Sequence, residues 1–457
     1  MGKARLGGMP AFVLIWIGQL LSLLGSGMTG FGLAIWAWQK TGLATALALV
    51  GFFFAGATMV ASPLAGVIVD RFNRKVIMIV ADLAAGLSTV AILVLLLTGR
   101  LEIWHLYVVN VFSGAFQALQ WPAYSAAITM LIPKKQYGRA SGMMSVAESA
   151  SVIVSPVLAA IFMGLIGLGG VIAIDVATMA LAIVLLLFIH VPQPGTTAAG
   201  RQGRGSVWKE AAFGFRYIFD RPSLLGLQLV FFAGNLISSF AQVAVVPMIM
   251  LRTGDDKLAL GAVQSVAGIG MLAGSVLMSI WGGPKRKVHG VLIGHTLMGL
   301  FGFLLLGLGR GMVVWSVAAL IGFFFIPLVN ASNQAIWQAK VAPDVQGRVF
   351  SVRRLIAQVS SPLAMVAGGP LADYIFKPAM QPGGSMAPLF GWMVGAGPGA
   401  GMALMIVLAG VLGAVAGLVG YAFRAIREAE TILPDHGAEA APEAVPEAVP
   451  VGVTAVT

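Results

Sequence analysis

Residues 66–75 read Gly-Val-Ile-Val-Asp-Arg-Phe-Asn-Arg-Lys and interrupt a sequence that is otherwise strongly apolar. Apolar runs flank this charged stretch over residues 43–69 on one side and 76–98 on the other. A helix needs about 20 apolar residues to cross the hydrocarbon core of a bilayer. The stretch is therefore predicted to be a short hydrophilic loop between two membrane-spanning helices.

The same pattern continues outward along the whole chain of 457 residues. Only 10% of the residues are charged and 58% are hydrophobic, whereas about 25% of the residues of a soluble domain are charged. The ten-residue alternation of membrane β-barrels does not occur in the sequence. We therefore predict an all-α integral membrane protein that has the lipid bilayer as its partner. The twelve predicted spans cover residues 11–38, 43–69, 76–98, 103–132, 141–166, 168–190, 223–250, 258–281, 288–308, 312–339, 349–376 and 398–423.

Lysine and arginine residues are distributed unevenly between the predicted loops. With the N-terminus placed in the cytoplasm, 22 of the 28 basic residues lie on the inner side and six on the outer side. This asymmetry follows the positive-inside rule. Both termini are predicted to be cytoplasmic, in a multi-pass protein of the plasma (inner) membrane. Because the basic residues are scattered through short loops, we expect no nucleic-acid partner.

The spans divide into two halves, which we interpret as two six-helix pseudo-repeat bundles. The N-terminal bundle lies within residues 1–190 and the C-terminal bundle within residues 223–427. Residues 191–222 are predicted to be a cytoplasmic linker that holds either a short interfacial helix or an ordinary connector. Residues 428–457 are acidic and repeat Glu-Ala-Val-Pro, which predicts a disordered cytoplasmic tail. Repeated halves place a transport site at the midplane between them.

The loop at residues 66–75 resembles the signature of the major facilitator superfamily, in which a glycine is followed by Asp-Arg and then by a basic pair. This resemblance implies the two-bundle fold and a gate on the cytoplasmic side. A glycine allows close helix approach, and an aspartate at a helix end can meet the positive N-terminus of span 11 or an arginine there. The alternative is that the loop arginines serve only as topology charges. The predicted gating residues are Gly66, Asp70, Arg71, Arg74 and Arg348.

Further stretches are similar to the drug:proton antiporter branch of this superfamily, which contains macrolide and siderophore efflux proteins. They include Gln120-Trp121-Pro122-Ala123 and Gly369-Pro370-Leu371-Ala372-Asp373. The resemblance implies a secondary active transporter that exports an amphiphilic organic compound in exchange for protons by alternating access. A proton-independent uniporter or importer on the same fold is the alternative, and a non-transport membrane protein is a further one. Small residues recur every four positions in span 5, which indicates an antiport signature or a plain packing face.

Acidic residues inside predicted spans are candidates for proton coupling, because burying a charge in a bilayer costs about 2.5–3.5 kcal/mol. Glu148 in span 5 is the deepest, and a neutral structural glutamate is the alternative. Asp82 in span 3 is expected to pair with Arg74 or another loop base. Asp175 in span 6 resembles the family's span-6 aspartate, which implies packing as much as coupling. Asp373, at the outer end of span 11, is expected to be exposed to solvent.

Uncharged polar residues in the spans are candidates for lining a substrate cavity. Apolar walls with a few polar groups suit an amphiphilic small-molecule substrate, although each such residue can instead serve an interhelical hydrogen bond. The candidates are Gln19, Asn235, Gln242, Asn330, Asn333, Gln334 and Trp337.

Motifs for catalysis and metal binding do not occur in the sequence. There is no cysteine, the five histidines show no ligand spacing, and no phosphate loop or nucleophile motif occurs. We therefore expect no metal, no cofactor and no enzymatic activity. We also expect a monomer.

Overall fold

A computed structural model of the chain describes residues 8–132, 137–189, 207–341 and 343–435, which contain helices and no β-strand. The first half contains α1 Gly8–Thr41, α2 Ala44–Arg71, α3 Arg74–Leu97, α4 Ile103–Leu131 and α5 Tyr137–Phe188. The second half contains α6 Val207–Phe219, α7 Pro222–Thr253, α8 Lys257–Trp281, α9 Lys287–Leu308, α10 Met312–Lys340, α11 Pro343–Pro370, α12 Ala387–Val394 and α13 Ala400–Ala422.

Ten of the described helices are long and apolar enough to cross a membrane. Their outer faces carry large apolar side chains that the protein itself does not cover, including Ile280 at 82% exposure and Val313 at 76%. Such a surface requires lipid around it. The prediction of an all-helical membrane protein is confirmed.

A single glycine divides the longest helix, α5, into two arms. Gly167 has φ 71° and ψ 176°, a conformation that side-chain-bearing residues rarely adopt. The break falls between the two predicted spans 141–166 and 168–190. The change of direction predicted between spans 5 and 6 is therefore made at one residue rather than by a loop.

Two helices contain π-helical turns. In α9 the turn covers Met298–Leu304, and α11 continues past its end through the π-helical turn Leu371–Phe376 and the short helix Lys377–Ala379. A π-helical turn widens the backbone by one residue and often marks a functional site. The first turn lines a cavity, and the second contains Asp373.

The two halves pack through two helix pairs, α2 against α11 and α5 against α8. Within the first half, the small residues of span 5 pack on α1, where the Ser151 and Ser155 hydroxyls donate to the carbonyls of Leu23 and Leu24 at 2.8 and 3.1 Å. Close packing of small side chains is how membrane helices associate, since lipid gives them no hydrophobic drive to do so. The loops that follow α1, α3, α7, α9 and α11 lie at what we call the predicted outer end, because the charge pattern predicts that it faces outward.

At the opposite end, the chain segments that flank the second half pack onto it. Helix α6 lies within the predicted linker and contacts α7 and α11, with Ile218 fully buried and Phe219 exposed. Residues 190–206 of the linker region lie outside the described residues, and the interfacial location of α6 stays a prediction.

The predicted disordered tail differs from the structure at its start. Residues 428–435 are described, include the helical turn Ala429–Ile432, and contact the second half. The Glu430 carboxylate accepts from the Val288 amide at 2.9 Å, and the Lys340 ammonium pairs with Asp435 at 2.7 Å. These contacts hold a segment whose composition alone predicts disorder, and residues 436–457 lie outside the described residues.

Candidate functional site

A cavity of about 400 Å³ lies in the second half, between α7, α8, α9 and α10. Val152 of α5 is its one lining residue from the first half among those described. Of the predicted cavity residues, Asn235, Gln242 and Asn330 line it. The π-helical turn of α9 contributes wall residues as well, including Phe303.

The cavity wall is neutral and mostly apolar. No aspartate, glutamate, lysine or arginine occurs among the described lining residues, and the remaining polar groups come from Ser238, Gln264 and His295. His295 is 2% exposed, and its Nδ1 lies 2.9 Å from the Val291 carbonyl oxygen. This histidine is not among the predicted site residues, although a histidine within a long apolar run was a signal that the sequence offered. A wall of this kind can hold an amphiphilic molecule and orient it through a few hydrogen bonds.

A second, smaller pocket of about 80 Å³ lies in the first half. Glu148 of α5 and Gln19 of α1 line it, together with Gln117, Gln120 and Tyr124 of α4. Gln19 is a predicted cavity residue, and the structure places it here rather than among the described lining residues of the 400 Å³ cavity. The three α4 residues are not among the predicted site residues.

The buried carboxylate of Asp82 joins this pocket through two of its lining residues. The Gln120 amide donates to Asp82 Oδ1 at 2.6 Å, and the Gln19 amide donates to Oδ2 at 3.3 Å. The expected partner, a loop base such as Arg74, is replaced by these two neutral amides, since Asp82 faces the bundle interior and is only 3% exposed. Asp82 and Glu148, which are far apart in sequence, therefore lie around one polar site.

Asp175, the third candidate for proton coupling, lies apart from both pockets. Its Oδ1 accepts a hydrogen bond from the Ser26 hydroxyl at 3.0 Å, and its side chain is 1% exposed. A Cβ on Gly25 would lie 2.9 Å from the Asp175 Cα, so α1 and the second arm of α5 are in close contact there. This placement favours packing over coupling for Asp175.

Three predicted cavity residues lie elsewhere on α10, in a cluster with Arg353 of α11. The Trp337 indole donates to Asn333 Oδ1 at 3.1 Å, and both residues are fully buried. Arg353 donates to Gln334 Oε1 at 2.6 Å, and its guanidinium lies 5.2 Å from the Trp337 ring centroid. None of the three lines either pocket described above. Gln334 is occupied by a hydrogen bond between helices, which was the alternative for it, whereas Asn333 and Trp337 are bonded to each other within α10.

The predicted gate lies largely beyond the described side chains. Gly66, Asp70 and Arg71 have helical backbone at the end of α2, and Arg348 lies on α11, but the side chains of these four lie outside the described residues. Arg74 begins α3. The contact between Asp70 and span 11 stays a prediction.

The loop between α2 and α3 is fixed by two of its own side chains. Asn73 Oδ1 accepts from the amides of Lys75 and Val76 at 3.0 and 3.4 Å and so caps α3. The Lys75 ammonium donates to the carbonyls of Leu187 and Ile189 at the end of α5. A cation at a helix C-terminus is a favourable arrangement, so this basic residue has a structural partner besides its role in topology.

Asp373 contradicts the expectation that it is exposed to solvent. It is 7% exposed, and its carboxylate accepts hydrogen bonds from the amides of Ala44 and Thr45 at the start of α2. Proximity to a loop in the sequence suggested solvent, whereas packing of α11 against α2 buries the side chain.

Comparisons with known proteins agree on membrane transport. The chain is 25% identical over 370 residues to macrolide efflux protein A of Streptococcus pyogenes, in an alignment covering 80% of this chain and 90% of that protein. It is 24% identical over 376 residues to the multidrug efflux pump Tap of Mycolicibacterium fortuitum, covering 79% and 89%. Identity to the enterobactin exporter EntS of Salmonella choleraesuis is 22% over 349 residues, covering 74% and 80%.

Solved transporters have the same fold. A bacterial homologue of the human lysosomal transporter Spinster, in an inward-facing and unoccupied conformation, superposes with a TM-score of 0.65 at 15% identity, covering 90% of this chain and 98% of that chain. The nucleoside transporter NupG superposes with a TM-score of 0.66 at 12% identity, covering 90% and 99%. The family model of the Major Facilitator Superfamily matches residues 15–365, most of the chain. This protein belongs to the Major Facilitator Superfamily.

Proposed function

We propose that the protein exports an amphiphilic organic compound across the plasma membrane in exchange for protons, by alternating access. The relatives with similar sequences are named for efflux of macrolides, of several drugs and of enterobactin, which supports the outward direction. We further propose twelve spans in two six-helix bundles with both termini in the cytoplasm. The two arms of α5 and the 29-residue helix α4 extend the ten candidate helices to that number.

The cargo site in this proposal is the cavity of about 400 Å³ in the second half. Small-molecule sites commonly enclose about 300–1,000 Å³ and combine apolar walls with a few polar groups. Asn235, Gln242 and Asn330 offer both donors and acceptors at the wall without a fixed charge. Such a wall favours a mostly apolar cargo that carries several hydrogen-bonding groups.

The proton site in this proposal is the polar pocket of the first half, formed around Asp82 and Glu148. Carboxylates in a bilayer bind and release protons as their access to water changes. Two neutral amide donors, from Gln19 and Gln120, hold the Asp82 carboxylate in its position beside the pocket.

Helix α5 provides the single observation that carries the proposal, because it contacts both sites. Glu148 lines the small pocket and Val152 lines the large cavity, and these two residues are four positions apart on α5. Residues at this spacing lie on the same helix face, one turn apart. A displacement of α5 that follows protonation in one half therefore moves the wall of the cavity in the other half.

The proposal is tested in inside-out membrane vesicles that accumulate a fluorescent amphiphilic dye under an inside-acid pH gradient. We expect Glu148→Gln and Asp82→Asn each to abolish accumulation driven by the gradient while leaving dye exchange without a gradient intact. Glu102→Gln is the matched control, because Glu102 is exposed and pairs with Lys40 at the predicted outer end.

Three results would contradict specific parts of the proposal. Full gradient-driven accumulation by both carboxylate variants would remove the first-half pocket from the coupling mechanism. Dye movement that is unchanged when a protonophore collapses the pH gradient, and that only equalises the concentrations on the two sides, would instead favour the proton-independent uniporter; net dye movement out of these vesicles would favour the importer.

A further inference from the structure

The start of α2 lacks a cap of its own. Its N-cap residue is Leu43, whose side chain accepts no hydrogen bond. The first amide groups of a helix need acceptors, and a buried amide without one is costly. Asp373, from the other half of the protein, supplies them: Oδ1 accepts from the Ala44 amide at 2.9 Å, and Oδ2 accepts from the Thr45 amide at 2.7 Å. The Thr45 hydroxyl donates to Oδ2 as well, at 2.6 Å.

A second charged side chain, Lys377, lies four residues after Asp373 and contacts the same turn before α2. The Lys377 ammonium donates to the Gly42 carbonyl oxygen at 3.1 Å. The carboxylate of Asp373 thus accepts from the amide groups at the start of α2, and the ammonium of Lys377 donates to the carbonyl just before them. We call these two side chains and their contacts with residues 42–45 the outer clamp. Every one of its hydrogen bonds joins the two halves.

The helix backbones are close enough for the outer clamp because of Gly369. A Cβ at this position would lie 2.6 Å from the Thr45 Cα and 3.1 Å from the Ala48 Cβ, so no larger residue fits without movement of α2. A further hydrogen bond joins the halves at this end, from the Trp38 indole to Asp255 Oδ1 at 3.3 Å. The predicted outer end is therefore closed in this structure.

The sequence repeats the pattern of the outer clamp at the other end of the same helix pair. Gly369, Asp373 and Lys377 are spaced by four residues at the end of α11 and just beyond it. Gly66, Asp70 and Arg74 have the same spacing across the end of α2 and the start of α3. The carboxyl end of α11 lies at the amino end of α2, so the two helices are antiparallel neighbours. The same glycine–acid–base pattern therefore stands at opposite ends of one pair of helices.

We propose that Asp373 and Lys377 act as a gate that holds the predicted outer end closed and must release α2 before that end opens. The inference rests on the proposed alternating access and adds to it a named pair of gating residues. With the predicted contact of Asp70, it gives each end of the α2–α11 pair one clamp. Alternation then consists of one clamp forming as the other breaks.

Single-cysteine labelling tests the gate directly, because the chain contains no cysteine of its own. Val246→Cys places a thiol in the cavity wall on α7, and a membrane-impermeant maleimide is added from the predicted outer side of intact cells. We expect Asp373→Ala to raise the labelling rate about tenfold, a change equivalent to about 1.4 kcal/mol in the balance between closed and open states. Asp373→Asn keeps one acceptor oxygen and is expected to give an intermediate rate.

The matched control removes a helix cap at the same end whose hydrogen bonds all lie within the second half. Asp256 caps α8 within the second half, accepting from the amides of Leu258 and Ala259 at 2.8 and 3.1 Å. Asp256→Ala is expected to leave the labelling rate within about twofold of the wild-type rate. The cap it removes stabilises only the first turn of α8 and does not bond to the first half. A rate for Asp373→Ala no higher than that of this control would overturn the proposal.

Two further measurements keep the test decisive. If Asp373→Ala is not recovered as folded protein, Lys377→Ala replaces it. The expected rise is about threefold, because this variant leaves one neutral acceptor unpaired, whereas Asp373→Ala leaves three donors unpaired. No rise in that variant would likewise reject the gate. Labelling needs neither cargo nor a proton gradient, so a failure of the proposed transport and a failure of the outer clamp give different results.

Discussion

The contacts of residues 428–435 with the second half predict that this segment contributes to stability, although its acidic composition alone predicts disorder. The perturbation is a pair of truncations, one ending at residue 435 and the other at residue 427, so that only residues 428–435 differ between them. The longer chain keeps, among its other contacts, the Glu430 cap on the Val288 amide and the acceptors around Lys340. We expect the shorter chain to be measurably less stable.

The magnitude follows from the bonds that are lost. A helix cap contributes about 1 kcal/mol. Lys340 has a side chain only 5% exposed, and it loses the carbonyl oxygens of Glu430 and Leu433 together with the Asp435 carboxylate. Leaving a buried donor without acceptors costs about 1–3 kcal/mol. Since truncation also lets water reach the ammonium group, we expect a total of about 2 kcal/mol, in the lower part of that range.

Equilibrium unfolding in mixed micelles measures the difference, with tryptophan fluorescence recorded during titration with a denaturing detergent. Glu430→Ala should account for about 1 kcal/mol of it, and Glu430→Gln for less, because the amide oxygen still accepts a hydrogen bond. Asp220→Ala is the control, since Asp220 is an exposed acid whose ion pair with Arg216 contributes little. Equal unfolding free energies for the two truncated chains would refute this reasoning.

Three further predictions concern the cavity, the α10 cluster and the tail junction. Gln242→Ala should raise the KM for exported dye about two- to tenfold through loss of a hydrogen bond. Asn110→Ala is the control, because it removes only an amide that is bonded within α4, and it should leave the KM unchanged. Equal KM values for the two variants would exclude Gln242 from the cargo site. Trp337→Phe should lower the unfolding free energy by about 1–2 kcal/mol, because Asn333 Oδ1 loses its donor. The KM for exported dye should not change, and a raised KM would show that this cluster contacts cargo. Hydrogen bonds from two neighbouring arginines lower the pKa of the exposed Glu428 below its ordinary value of 4.5, so its stabilisation is complete above that value and is lost as the pH falls through the lowered pKa. Comparison with Glu428→Gln between pH 3 and 7 should show this difference, and high salt should reduce it.

The sequence predicts the helices well because a bilayer imposes one length and one composition on every span. The predicted break between spans 5 and 6 fell at Gly167, where the structure bends, since a change of direction in an apolar run needs a residue that tolerates positive φ. The two π-helical turns were not predicted, because their extra residue leaves the hydropathy pattern unchanged.

The sequence predicts which kinds of residue form the candidate site better than it predicts how these residues are arranged. Intramembrane polar residues are few enough to enumerate, but hydropathy does not say which of them face one another. Asn235, Gln242 and Asn330 line the cavity, whereas Trp337 is occupied by a neighbour in its own helix and Gln19 serves the other half. These outcomes depend on helix rotation, which packing sets and which a single sequence does not reveal.

Asp373 shows why long-range partners escape such reasoning. A helix start is normally recognised by a capping residue just before it, and α2 begins after a leucine. Its cap comes from more than 300 positions away in sequence, so no local pattern indicates it. The repeated spacing of glycine, acid and base was visible, but it gained meaning only when α2 and α11 were found side by side.

The distance between the neutral cavity and the acidic pocket bears on how a single driving ion could serve many different compounds. In a transporter that binds protons and cargo at one site, the cargo must carry a positive charge or donate a strong hydrogen bond to the acid. Competition between the proton and the cargo then sets the selectivity. Here the described lining residues of the two compartments have no member in common. In the proposed mechanism, an uncharged molecule binds in the cavity without contacting the carboxylates of the other pocket, and its chemical identity can vary as long as it fits between α7 and α10.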